Sequence, residues 1–174
     1  MDHPDGKPLP HDGVAVGRLM TRGNTVISGY YGAPDATAAM DGDGWLATGD
    51  IASIDANGFL SISDRVKDMV KSGGEWISSI DLENAALAHD GVDQCAVIAV
   101  PHEKWGERPL LIVVPSGDPP EKSDLLESLT PEFARWQLPD DVVFVDALPL
   151  TATGKVSKRK LRERFAAPPS EVAG

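Results

Sequence analysis

The 174-residue sequence predicts an α+β fold: a small mixed sheet with flanking helices, preceded by a β-rich segment that does not close a core of its own. Three observations predict it. Residues 94–100 and 110–114 are continuous apolar runs bounded by prolines, the pattern of buried strands. Ser78 and Asp81 stand at capping-box spacing ahead of Ile80, Leu82, Ala85, Ala86 and Leu87, the pattern of a largely buried helix. Residues 1–64 hold short strand patterns and turn signals but little helix, too little to build a core alone.

Taken in order, residues 1–13 mix charge with proline and glycine and read as an irregular lead-in. Residues 14–20 and 25–28 read as strands about the turn Arg22-Gly23-Asn24, and a short helix is expected over 34–40. Residues 50–55 and 59–63 read as a hairpin about Ala56-Asn57-Gly58, since Asn-Gly is a strong hairpin signal. Beyond Asp64 a strand is expected over 65–71, with a sharp turn at Gly73-Gly74. The helix capped by Ser78 ends near Asp90-Gly91. After the two apolar strands come helices over 121–129 and 131–136, a strand over 142–145, a loop over 151–154 and a basic helix from Ser157 to about Phe165, ended by Pro168-Pro169. The predicted boundary divides residues 1–64, the edge of a larger domain, from residues 65–174, a normal small-domain size.

Composition removes several function classes. Lys and Arg number 16 against 27 Asp and Glu, a net charge of −11 that argues against wrapping nucleic acid or sitting on anionic lipid. No apolar run approaches the roughly 20 residues of a membrane span, and the acidic N-terminus is unlike a signal peptide. The lone Cys95 excludes a disulfide framework within the chain and a multi-cysteine zinc site, and it fits a reducing cytoplasm. His3, His11, His89 and His102 show no metal-ligand spacing. Residues 151–174 carry six basic and two acidic side chains, a basic tail on an acidic body. Gly154-Lys155 fails as a phosphate loop, because Pro149 stands where its first glycine would be and Val156 where its hydroxyl would be.

Four stretches stand out together: GRLMTRGNTVISGYYGAPDAT (17–37), GWLATGD (44–50), DRVKDMVKSGGEWISSIDLE (64–83) and LPLTATGK (148–155). In this order and spacing they resemble the C-terminal core motifs of the adenylate-forming enzymes, the superfamily of acyl-CoA synthetases, luciferases and peptide-synthetase adenylation domains. The resemblance covers about residues 14–165. Within the superfamily, KSGGEWISSIDLENA (71–85) and VPHEKWGERP (100–109) are most similar to medium- and long-chain fatty acyl-CoA synthetases.

The resemblance implies a reaction in two halves. A fatty acid carboxylate attacks the α-phosphate of ATP to give acyl-adenylate and pyrophosphate. The coenzyme A thiol then attacks the acyl carbon and releases AMP. Residues 65–174 would be the mobile lid and residues 1–64 the end of the large domain. Lys155 would be the catalytic adenylation lysine; Thr48, Asp50, Arg65 and Trp76 would bind the nucleotide; Lys67 would be the hinge. Gly73, Gly74 and Glu75 would form the loop facing coenzyme A. The residues alone also admit plainer roles: a turn aspartate, a strand-edge lysine, a core tryptophan, a hairpin turn and a surface lysine. The family's phosphate-binding loop, magnesium-holding glutamate and acyl pocket lie upstream in relatives. The chain is therefore expected to be a fragment, inactive alone, with its magnesium ligands elsewhere and a tendency to self-associate through residues 1–64. Two rivals stand beside this expectation: a ligase that adenylates an aryl or amino acid, and a non-catalytic module that binds nucleotide or a partner synthetase.

Overall fold

The computed structural model describes residues 7–27, 29, 31 and 43–166. The chain divides into two compact units, Met1–Lys67 and Asp68–Gly174.

Among its described residues, the first unit is an antiparallel sheet in the order β1 (Gly17–Thr21), β2 (Leu46–Ile54), β3 (Leu60–Arg65). Asp55 shapes the β2–β3 turn: its carboxylate accepts the Asn57 and Phe59 amides at 2.9 Å each. The strand expected over 14–20 starts only at Gly17. Before it the Asp12 carboxylate accepts the Ala15 amide at 2.7 Å and the Val14 amide at 2.9 Å, which bends the chain and holds the Asp12 carboxyl below its ordinary range. No strand forms over 25–27, where Val26 N–H closes a turn onto the Gly23 carbonyl at 3.1 Å. Three β-branched residues in a row, Thr25, Val26 and Ile27, do not make a ladder without a neighbouring strand. Ser28 and the helix expected over 34–40 lie outside the described residues.

The second unit is a five-stranded mixed sheet in the order β5 (Glu75–Ile77), β4 (Val70–Ser72), β7 (Gly106–Pro115), β6 (Val92–His102), with β8 (Asp141–Phe144) parallel to β7. The fold is α+β as the sequence predicts. Strand alternation explains the two apolar runs. Val97, Leu111 and Val113 face one side, under α1 (Ser79–Leu87) and α2 (Lys122–Ser128). Ala96, Ile98, Leu110 and Ile112 face the other, under Leu161 of α3 (Lys158–Phe165). Both faces are covered, so the central strands read as continuously apolar. Ser78 caps α1, its hydroxyl accepting Asp81 N–H at 3.1 Å, and Ser157 caps α3.

Two further expectations fail. The strand over 65–71 is interrupted by a turn at 66–68. The chain leaves one sheet at Arg65 and enters another at Val70, so apolar residues continue while hydrogen-bond partners change. The helix over 131–136 is a series of turns instead. Its bonds are short-range turns: Gln137 N–H closes onto the Ala134 carbonyl at 2.8 Å, and the Gln137 side-chain oxygen accepts the Ala134 amide at 3.0 Å, so no i to i−4 ladder runs through it.

β6 is an edge strand, and a side chain guards its open edge. Glu83 Oε1, from α1, accepts the Val97 amide at 2.7 Å and pairs with Lys158 Nζ of α3 at 2.7 Å. Lys158 also donates to Ser79 Oγ at 2.6 Å. Because α1 and α3 cover opposite faces, this pair wraps the edge and joins the two layers. Farther along α3, Arg162 Nη1 meets Asp68 Oδ1 at 3.0 Å. Glu83→Ala removes the carboxylate that pairs with Lys158 and accepts the Val97 amide, and urea titration should show a loss of about 2 kcal/mol or more.

Cys95 sits beneath this pair, its thiol donating to the Glu83 carbonyl at 3.3 Å. Burial first, and the Glu83 charge second, push the thiol up to about 12. The folded protein therefore holds this proton more tightly than the unfolded chain. Cys95 should weaken the fold as pH rises from the ordinary thiol value of 9.0 towards about 12, and should have no such effect below it. At pH 8 we expect Ellman's reagent to leave Cys95 unmodified in buffer and to modify it fully in denaturing urea.

Candidate active-site residues

Lys155 lies on a short hairpin rather than a loose loop. Leu150 and Val156 bridge antiparallel, and Thr151 N–H donates to the Lys155 carbonyl at 2.7 Å. The Lys155 amide donates back to Thr151 Oγ1 at 3.1 Å, and the Thr151 and Thr153 hydroxyls meet at 3.0 Å. Gly154, at φ +81°, closes the turn in a conformation that costs other residues about 1–2 kcal/mol. The base of the hairpin is fastened where Ser157 N–H meets the Pro149 carbonyl at 2.7 Å. α3 begins at the next residue. The Lys155 side chain is exposed, and its ammonium has no hydrogen-bond or ion-pair partner among the described residues. The backbone is thus fixed while the charge remains available to an anion.

Three of the expected nucleotide residues share one patch of the first unit. The β2–β3 register places Asp50 opposite Arg65, and Arg65 Nε meets Asp50 Oδ1 at 3.1 Å. Asp50 is the more buried partner, at 20% side-chain exposure against 58%. Thr48 Oγ1 donates to the Leu19 carbonyl at 3.1 Å and accepts the Asp50 amide at 3.1 Å, which fixes the Asp50 backbone, while Arg65 holds its carboxylate. A carboxylate held this way can accept hydroxyl hydrogen bonds on its remaining lone pairs.

Trp76 stands in the second unit, on edge strand β5. It is 46% exposed and so is not a core residue. Its cross-strand neighbour Lys71 places Nζ 5.5 Å from the ring centroid. Gly73 and Gly74, at φ +60° and +95°, form the two-residue turn joining β4 to β5, and Glu75 is exposed beside it. A cavity of about 390 Å³ adjoins this turn, lined by Ser72, Gly73, Glu75, Trp105, Arg108 and Trp136 among others. Lys67 is exposed in the turn at 66–68, at the boundary between the units.

The cavity residues Trp105, Arg108 and Trp136 were not among the sequence candidates. A signal for Arg108 existed: a charged residue at the mouth of an apolar strand, next to Pro109. Nothing in spacing pointed to Glu83 and Lys158, which meet only through the fold. Among the described residues no group of three or more His, Cys, Asp or Glu is placed to hold a metal ion, and no helix is long and apolar enough to cross a membrane.

Comparison with known proteins agrees with these motifs. Residues 81–155 match the family described as AMP-binding enzyme C-terminal domain. The chain is 56% identical over 162 residues to a 3-methylmercaptopropionyl-CoA ligase of Ruegeria lacuscaerulensis, covering 92% of this chain and 30% of that protein. It is 50% identical over 163 residues to a long-chain-fatty-acid–CoA ligase of Thermus thermophilus, again covering 92% of this chain and 30% of the relative. The solved structure of ATP-bound MatB from Rhodopseudomonas palustris aligns with a TM-score of 0.87 at 34% identity, covering 95% of this chain and 33% of that one. The chain thus spans about a third of the length of the proteins it matches. Residues 81–155 therefore carry the C-terminal domain of AMP-binding enzymes, and the chain is similar to the C-terminal part of adenylate-forming acyl-CoA ligases.

Proposed function

We propose that this chain is the part of an AMP-forming acyl-CoA ligase that supplies the adenylation lysine and the loop used in thioester formation. Its carboxylic acid substrate is aliphatic, in the fatty acid class. Residues 1–64 are the end of the large domain and residues 65–174 are the lid. In the first half-reaction a carboxylate oxygen attacks the α-phosphorus of ATP, and the bond to pyrophosphate breaks. Negative charge builds between the acyl oxygen and the α-phosphate, where the Lys155 ammonium stabilises it. Asp50, its backbone fixed by Thr48 and its carboxylate braced by Arg65, accepts the ribose hydroxyls, and Trp76 contributes an aromatic face to the nucleotide. In the second half-reaction the coenzyme A thiol attacks the acyl carbon and AMP leaves. Gly73, Gly74 and Glu75 border the thiol's approach, where the absence of side chains on two successive residues leaves room for a narrow arm. Lys67 is the hinge between the two arrangements.

The observation that carries this reading is the Lys155 hairpin: a fixed backbone presenting a cation with no partner among the described residues. A surface lysine has no need of such a support. The 56% identity to a 3-methylmercaptopropionyl-CoA ligase favours a second reading of the substrate, a short aliphatic acid bearing a thioether.

The test is a fusion in which this chain replaces the corresponding part of the Thermus thermophilus ligase. The fusion should form acyl-CoA. Lys155→Ala should lower ATP–pyrophosphate exchange about 10²-fold or more, the scale for losing one preorganised charge contact. Thioester formation from supplied acyl-adenylate should stay near its original rate. Lys67→Pro fixes the hinge φ, so it should impair thioester formation more than exchange. Equal losses in both half-reactions for Lys155→Ala would contradict the assignment. An unaltered fusion that makes no acyl-CoA would favour a non-catalytic binding module.

A further inference from the structure

We infer that Trp105, Glu107 and Arg108 are positioning residues for the Gly73-Gly74-Glu75 loop, and that the thioester half of the reaction depends on them while adenylation does not. The inference rests on the function proposed above. It begins from a weakness in the sheet. β4 pairs with β7 through a single residue pair, Ser72 with Gly106, so the β4–β5 hairpin lacks an ordinary ladder on its inner side. Side chains from the start of β7 and the carbonyl of Trp105 just before it replace it.

Three consecutive residues of the hairpin are each held by a different residue of the WGER stretch. Glu107 Oε2 accepts the Lys71 amide at 2.9 Å. Arg108 Nη1 donates to Ser72 Oγ at 3.0 Å. The Trp105 carbonyl accepts the Gly73 amide at 2.8 Å. The Trp105 indole also lies against Gly73 so closely that a Cβ there would come within 3.1 Å of a ring carbon. Gly73 is therefore required twice, for its positive φ and for its contact with the ring.

Arg108 is a fixed anchor rather than a ligand-binding cation. It is only 7% exposed. Its Nε and Nη2 meet the Asp140 carboxylate at 2.8 and 2.7 Å. Nη2 also donates to the Leu138 carbonyl at 2.9 Å, and Nη1 donates to the Trp136 carbonyl as well as to Ser72. Every guanidinium N–H is thus used, and the charge is neutralised by Asp140. A lysine has neither the planar fork nor enough donors to span these acceptors. The hairpin that carries Lys155 is held by other residues, through α3, Glu83 and Asp68, so the two supports are separable.

Glu107→Ala, Glu107→Gln and Arg108→Lys are to be made in the full chain and in the fusion with the Thermus thermophilus ligase. In the full chain, Glu107→Ala should speed hydrogen exchange at the Lys71 and Gly73 amides at least about tenfold, through local opening, and leave the Val97 amide unchanged. In the fusion, Glu107→Ala and Arg108→Lys should lower kcat for thioester formation from supplied acyl-adenylate by about 10- to 100-fold, the scale for a reacting group misplaced by about 1 Å. Pyrophosphate exchange should be unchanged. Glu107→Gln keeps an acceptor oxygen and should restore most of the thioester rate. Equal losses in both half-reactions, or no loss while the Lys71 and Gly73 amides open, would overturn the inference. An unaltered fusion without acyl-CoA formation would overturn the proposed function and this inference with it. The exchange data on the full chain would then show separately whether the loop is held.

Discussion

The Glu83 carboxylate leaves α1, reaches the open edge of β6 and meets both the Val97 amide and the Lys158 ammonium at 2.7 Å. With Ser79 as the second acceptor for Lys158, this contact fixes the first turn of α3. Arg162, one turn on, fixes the second through Asp68. α3 is otherwise a weakly apolar helix whose one fully buried side chain is Leu161. Without ion pairs it would have little to hold its register on the sheet. The Lys155 hairpin runs directly into the Ser157 cap of this helix, and its other strand follows the buried Leu148. The position of Lys155 therefore follows from its own backbone bonds to Thr151 and from α3 contacts that its side chain does not make.

The basic end of an acidic chain is divided by the fold into separate tasks. Lys158 and Arg162 are half-buried and paired with carboxylates. Lys160 Nζ reaches the Leu150 carbonyl at 3.4 Å, and Arg159 lies 3.8 Å from Glu163 on the exposed face. Lys155 has no such partner among the described residues. For the proposed adenylation role, a cation without a partner among the described residues suits a charge that appears only during reaction, because no such contact must be broken to engage it. The Gly73-Gly74 turn follows the same logic with different parts. Its flexible residues are stiffened from outside by Trp105, Glu107 and Arg108.

Much of this was legible in the sequence, for identifiable reasons. The apolar runs at 94–100 and 110–114, the Ser78 and Ser157 caps and the Asn57-Gly58 turn are local signals, and each appears in the structure. The motif order carried the resemblance to the family. Three things were not legible. The strand pattern over 65–71 hides a change of sheet, because alternation records burial and not the identity of the partner strand. The helix pattern over 131–136 yields to a turn in which the Gln137 amide and side chain both bond Ala134, a competition that apolar spacing does not record. The Lys155 segment reads as a loop because its order comes from a single bridge, threonine hydroxyls and a neighbouring helix, none of which has a periodicity.

The central claim is that Lys155 is presented on a preorganised hairpin and not on a flexible arm. Backbone 15N relaxation on the full chain tests it most directly, with the amides of Thr151, Thr153, Gly154 and Lys155 compared with those of the β6–β7 ladder. The account predicts order parameters near the rigid-backbone value of about 0.85 in both sets. Values below about 0.6 at Thr151–Lys155, with the ladder rigid, would mark a mobile arm and contradict it.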